Sequence, residues 1–264
     1  MKPNTKSPVL LFITILMLVS LACSASAAQP TSTSTPKPKP TSTITATPTK
    51  TPRPTVTPRP TRTPNLAATQ RTEEFNAEAK SFFDLGYLNT ADGKVIEYDD
   101  FKDDWAQLGW YNWWILDDQA GDFYMSAHFK WSSAYRNADI SGCGFVFAIQ
   151  ENGDHYAVFL DRSKILFLDS DESYGGYSRN VGLTRGTGTV KFDNPADNPA
   201  EADFTVIVKD AYTYVLVDGK VVGEYTLAQS KILKGNLGIS ILSGTNKDYG
   251  TRCEMTNLHL WVPN

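Results

Sequence analysis

Between residues 123 and 131 the chain alternates strictly. Phe123, Met125, Ala127, Phe129 and Trp131 are separated by Tyr124, Ser126, His128 and Lys130. A period of two sends each set to one face, so the segment predicts a β-strand with one buried face. Apolar runs at 143–150 and 155–161 are joined by Asn152-Gly153, and runs at 212–217 and 220–225 by Asp218-Gly219. Asp92-Gly93 separates 87–90 from 94–98 in the same way. These dipeptides predict three hairpins, because glycine tolerates the positive φ of tight primed turns. Further strands are predicted at 204–209, 237–242 and 253–262. Only before residue 87 does the period become helical. Phe75, Ala79 and Phe82 form a stripe, with Glu73, Glu74, Glu78 and Lys80 among the polar positions. Asn65 stands where a cap belongs and Gly86 where a helix stops. Residues 65–86 thus form an amphipathic helix, its apolar face packing on the strands or pairing two chains. Many short strands with one helix predict an all-β, antiparallel β-sandwich over 87–264. Residues 169–203, with Gly175-Gly176, Asn194-Pro195 and Asn198-Pro199, read as a long irregular loop.

The first 64 residues have a different character. Lys2 and Lys6 precede a short apolar run at 8–23 ending Leu21-Ala22-Cys23, the pattern of a signal peptide over 1–27. The run falls short of the roughly 20 residues that a membrane-spanning helix needs. Residues 28–64 are a Thr/Pro/Ser tract with almost nothing apolar, so they cannot offset the entropy of ordering and read as a disordered stalk. Proline favours extended segments of about 3.1 Å per residue, giving a reach of roughly 110 Å.

Charge divides the chain at the same place. Residues 1–64 carry eight basic and no acidic residues, which leaves 17 basic and 29 acidic residues in 65–264. A domain of net charge −12 argues against nucleic acid as a partner, because phosphate neutralisation needs basic patches. It permits cationic partners and neutral glycans.

Several segments resemble known families. Leu21-Ala22-Cys23-Ser24 resembles a bacterial lipobox, with Ser20 at the place where the pattern prefers Leu. That resemblance implies a lipid on Cys23 and anchoring to the outside of the cell membrane. Ala25-Ser26-Ala27 supplies a cleavage site for plain secretion instead. Asp99-Asp100-Phe101 with Asp103-Asp104-Trp105, then the segments at 121–131, 142–149, 155–160, 202–226, 235–242 and 253–262, resemble in order the strands of concanavalin A-like lectin/glucanase sandwiches. The laminin-G-like and 3-keto-disaccharide hydrolase-like domains are the nearest types. The resemblance implies a jelly roll acting outside the cytoplasm.

Little in the chain carries catalytic chemistry. Glucanases of this fold carry E-x-D-x-x-E on one strand; here Glu97-x-Asp99 is followed by Lys102 at the second Glu position. No catalytic residue is therefore assigned. His128, His155 and His259 stand singly, without metal-ligand spacing. Asp169-x-Asp171-x-Ser173 has alternating oxygen ligands, but Tyr174 replaces the glycine of a calcium loop, and neither a metal nor another cofactor is assigned. Cys143 and Cys253 remain once Cys23 is claimed by the lipobox, and an exported pair is expected to form a disulfide.

The aromatic segment 110–114 stands out. In a strand, Trp110 and Trp114 face one way and Tyr111 and Trp113 the other, so one set exceeds what a single core face needs. Trp110, Trp113 and Trp114, with Tyr174 and Tyr177 beside Gly175-Gly176, are the expected ligand-binding residues, and Asp117 or Asp118 stands ready to bond hydroxyls. Burial of these rings by the helix or the long loop is the competing expectation. The functional expectation is a cell-surface lipoprotein whose non-catalytic module binds glycan or another extracellular ligand. A glycoside-acting enzyme and a structural or adhesive envelope protein are the alternatives.

Overall fold

The alternating segment at 123–131 is the central strand of one sheet. A computed structural model of the chain describes residues 66–135, 138, 140–161, 164–182, 185–186, 199–228 and 233–264. The expected signal peptide, Cys23 and the expected stalk lie outside the described residues.

The first sheet, sheet A, contains β1 (Gly93–Glu97), β2 (Phe101–Trp105), β4 (Phe123–Ser133), β10 (Ala200–Lys209), β11 (Tyr212–Val217), β12 (Lys220–Thr226) and β14 (Thr251–Pro263). Its order is β1-β14-β4-β10-β11-β12, with β2 continuing the β1 edge along β14. Sheet B contains β3 (Trp110–Ala120), β5 (Ser141–Ile149), β6 (His155–Asp161), β7 (Lys164–Ser170), β8 (Ser178–Asn180), β9 (Arg185–Gly186) and β13 (Gly235–Ser243). Its order is β3-β13-β5-β6-β7-β8, with β9 also on β7. Every pairing within the sheets is antiparallel. The domain is the antiparallel β-sandwich that the sequence predicts.

The two inner faces form the main core. Phe123, Met125, Ala127, Phe129 and Trp131 of β4 are all buried there, facing Phe145 and Phe147 of β5. Cys143 on β5 and Cys253 on β14 are bonded across the core, Cα atoms 5.9 Å apart, so the disulfide joins sheet B to sheet A.

One helix, α1 (Leu66–Asp84), lies on the outer face of sheet A. Ala79 and Phe82 pack with Tyr124, Ile207, Leu216 and Trp261. Phe75 packs against His259 with ring centres 4.4 Å apart, and His259 Nε2 lies 3.1 Å from Glu78 Oε2. Gly86, at φ +82, ends the helix in a Schellman turn, in which Tyr87 N–H donates to Phe82 O and Gly86 N–H to Phe83 O. Tyr124, expected on a polar face, is buried because the helix supplies a second apolar layer.

Two expected turns are in place. Asp218 (φ +49) and Gly219 (φ +71) form a two-residue primed turn between β11 and β12. Gly153, at φ +91, closes the β5–β6 turn. The third is a correction: 87–90 is not a strand, and Asp92-Gly93 makes no hairpin. Leu88 is drawn into the layer beneath the helix, and Gly93 begins β1 opposite Pro263. A side chain at Gly93 would collide with the Trp261 ring. The segment 169–203 is also less irregular than expected, since β7 runs to Ser170 and β8 pairs with it.

Candidate functional site

The outer face of sheet B has no helix over it among the described residues. Its middle is floored by small residues, with Ser240 of β13 opposite Gly144 of β5 and Leu242 opposite Gly142. Over this floor lie rings from the neighbouring strands. A Cβ at Gly144 would meet Phe159 Cδ1 and Cε1, which shows the Phe159 ring covering that glycine. Tyr111 of β3 comes to 5.2 Å from Phe159, ring centre to ring centre. Val146, Ala157 and Leu242 are buried beside them.

The Tyr111 hydroxyl ends in a polar cage. It lies 2.7 Å from His155 Nε2 and 3.3 Å from Ser178 Oγ. His155 Nδ1 is 2.7 Å from Gly153 O, a group that only accepts, so the neutral ring carries its proton on Nδ1 and Nε2 accepts from Tyr111. Burial raises the Tyr111 hydroxyl pKa above its ordinary value, and hydrogen bonds with Ser178 and Ser170 oppose that rise. Trp113 packs on the same imidazole at 4.7 Å.

Beyond His155 the face opens into a groove of about 950 Å³, within the size range of small-ligand sites. Ile115, Ile149 and Tyr156 give it an apolar lining, with Ile115 56% exposed. Amides surround this lining. Gln119 Nε2 donates to Asn236 Oδ1 at 2.8 Å, which leaves an acceptor on Gln119 and a donor on Asn236. Gln150 Nε2 is held by the carbonyls of Ala148 and Lys234. Glu151, Asp154 and Asp171 are the carboxylates of the groove, and Lys234 is its cation. Asp154 Oδ1 accepts from Glu172 N–H at 2.7 Å, and Asp171 Oδ1 from Ser173 N–H at 2.9 Å. The first bond ties the strap formed by residues 171–178 to the β5–β6 turn, and the second closes a turn within the strap.

The expected binding aromatics are dispersed. Trp110 is 51% exposed at the start of β3. Trp113 belongs to the outer-face cluster, whereas Trp114 points inward, packs against the main core and meets Phe101 at 4.9 Å. Tyr174 donates to Asp169 Oδ2 and lies 3.8 Å under the Arg179 guanidinium. Tyr177 is 77% exposed on the strap. Asp118 accepts from Tyr98 at 2.7 Å, and the Tyr98 hydroxyl is pushed far above its usual range by burial and by that carboxylate. The incomplete E-x-D-x-x-E lies outside the groove: Glu97 pairs with Arg71 and Lys102 with Glu254. Among the described residues, no group of three or more acidic, His or Cys side chains is arranged to hold a metal ion. Sequence reasoning misses the groove residues Gln119, Gln150, Glu151, Asp154, Lys234 and Asn236. Asn152-Gly153 is the one signal at hand, and it marks a turn without showing what the turn faces.

No family model matches the chain, and no curated protein matches it. Solved structures resemble it over part of the chain. It is similar to the carbohydrate-binding module CBM66 from Bacillus subtilis at 10% identity and TM-score 0.43, over 62% of this chain and 92% of that one. The A. japonicus fructosyltransferase gives 15% identity and TM-score 0.43 over 65% of this chain, and the match spans only 26% of that enzyme. The Bacillus licheniformis β-glucanase gives 12% identity and TM-score 0.40, over 56% of this chain and 69% of that one.

Proposed function

We propose that this domain binds a glycan in the groove on the outer face of sheet B, and that it does so outside the cell. The observation that carries the proposal is the groove's construction. Preset amides on Gln119, Asn236 and Gln150 surround a half-exposed Ile115. Sugar rings present hydroxyls at their edges and C–H groups on their faces. Amides and carboxylates suit the first, and an apolar floor suits the second. Trp113 closes the wall behind His155, and Tyr177 is the exposed ring on the strap beside the groove. Three carboxylates against one lysine favour neutral or cationic sugars over uronic acids.

The full chain on a glycan array tests this. Binding to neutral glycans, weakened by Gln119→Ala or Asn236→Ala, is the expected result; no binding to any glycan refutes it. The grouping of Glu151, Asp154 and Asp171 favours a second reading, a glycoside-acting enzyme. Release of reducing ends from a bound glycan, abolished by Glu151→Gln, would select it.

The location also belongs to the proposal. A basic start, a short apolar run and Leu21-Ala22-Cys23 fit a lipid-anchored surface protein whose stalk holds the domain away from the membrane. Mass spectrometry of the mature N-terminus should find a lipid-modified Cys23. An unmodified chain beginning at Ala28 overturns the anchor and leaves plain secretion.

A further inference from the structure

The backbone around the groove holds its amides in place. Gln150 Nε2 donates to Ala148 O at 2.9 Å and to Lys234 O at 3.0 Å. Both carbonyls only accept, so they take both N–H groups and fix which way the amide faces. Gln150 Oε1 is left as an acceptor at the groove. Gly235 makes this close fit possible, since a Cβ there would lie 2.6 Å from Ala148 C and 2.7 Å from Gln150 Nε2. Ala148 itself has φ +54, a left-handed conformation that is strained for alanine and is concentrated at functional sites.

At the same level β3 is bulged. Gln119 stands opposite Asn236 and Ile115 opposite Gly238, so β3 takes four residue steps where β13 takes two. Two steps are roughly 7 Å, so the bulge draws Ile115 toward Gln119 from the separation of about 13 Å that a regular strand would give. One small group can then touch both. Gln119 Nε2 donates to Asn236 Oδ1, which leaves Gln119 Oε1 as an acceptor beside the donating NH2 of Asn236. Turning both amides over only exchanges the two roles, so the pair offers a donor and an acceptor in either assignment. Next to the pair, Ile115 is half-exposed.

An acetamido group matches these three features. Its N–H needs an acceptor, its carbonyl a donor and its methyl an apolar surface. A sugar hydroxyl in the same place could bond the amides but would leave Ile115 facing a polar group. We infer that the groove recognises an N-acetylated amino sugar of a neutral glycan through Gln119, Asn236 and Ile115, with Gln150 Oε1 accepting from a ring hydroxyl. This rests on the glycan reading above and names the sugar class that the same groove takes.

The test offers the full chain matched pairs of neutral oligosaccharides that differ only at C2, alongside the glycan array. Oligomers of β-1,4-linked N-acetylglucosamine are set against the corresponding glucose oligomers, and N-acetylgalactosamine glycans against their galactose counterparts. At least one acetamido member should bind, and its hydroxyl counterpart should bind about ten- to a hundredfold more weakly, the worth of two ordinary hydrogen bonds. Asn236→Asp keeps an acceptor for Gln119 Nε2 but removes the donor. It should bring the preference below about threefold, with Tm unchanged. Equal binding within a pair, binding confined to glycans without an acetamido group, or a preference that survives Asn236→Asp overturns the N-acetyl inference and leaves the glycan reading standing. If no glycan on the array binds, the glycan reading itself fails and takes this inference with it.

Discussion

Breaking the Cys143–Cys253 bond should cost the domain a large share of its stability. The bond closes a sequence separation of 110 residues and joins the two sheets. In the chain-entropy model a loop of that size lowers the entropy of the unfolded chain by about 16 cal/mol/K, which is about 4.8 kcal/mol at 25 °C. Native domains hold only about 5–15 kcal/mol in total, so the loss is severe. For a domain of this length it corresponds to a fall in Tm of roughly 10–20 °C. Two perturbations separate cross-link from packing. Reduction keeps both sulfur atoms in the core and removes only the cross-link. The Cys143→Ala/Cys253→Ala variant also deletes two fully buried sulfurs and should lose about 1–2 kcal/mol more. Guanidinium unfolding of the oxidised, reduced and doubly substituted chains measures both. Were the reduced protein to unfold within about 1 kcal/mol of the oxidised one, the unfolded chain would hold the two cysteines near each other without the bond, and the entropy argument would fail.

Three further outcomes are expected. Gly144→Val should destabilise by about 1–3 kcal/mol in urea, because a Cβ there meets the Val158 carbonyl and the Phe159 ring; a neutral result would show that Phe159 does not lie on that glycine. Trp114→Ala should cost about 3 kcal/mol, at the low end for a core tryptophan because it is only partly buried, while Trp110→Ala stays within about 1 kcal/mol; equal losses in thermal denaturation would contradict the packing of Trp114 against the core. Deleting residues 66–84 should uncover Tyr124, Ile207, Leu216 and Trp261 and raise the fluorescence of a hydrophobic dye, and an unchanged signal would mean that α1 does not cover them.

The fold is legible in the sequence wherever one local signal decides it. Strict alternation marks β4, Gly86 marks the end of α1, and Asp218-Gly219 marks its hairpin. The signals mislead where tertiary packing decides. Asp92-Gly93 looks like a turn, but glycine is needed there because Trp261, far along the chain, lies against it. The strands at 101–105 and 164–170 carry no comparable signal. In β2 the exposed Lys102 and Asp104 pair across strands with Glu254 and Arg252, partners that no local pattern reveals. The candidate site is only partly legible. The aromatic surplus at 110–114 correctly implies rings on both faces of β3, but the groove is assembled from β3, β5, β6, β13 and the strap. Which polar residues converge there depends on the strand order of sheet B and on the path of the strap, and neither leaves a local trace in sequence.

The placement of α1 has a mechanical consequence. The helix lies on sheet A, whereas the groove belongs to sheet B, so the chain enters the domain on the side opposite its open face. Tension arriving through residue 65 would fall first on the Arg71–Glu97 pair, then on Phe75 and Glu78 at His259, and only later on Ala79 and Phe82. Loaded in that order, the contacts break in succession, which takes less force than shearing them together. The helix is therefore a fuse: pulled from that end it would peel away while the two sheets, joined by Cys143–Cys253, stay together.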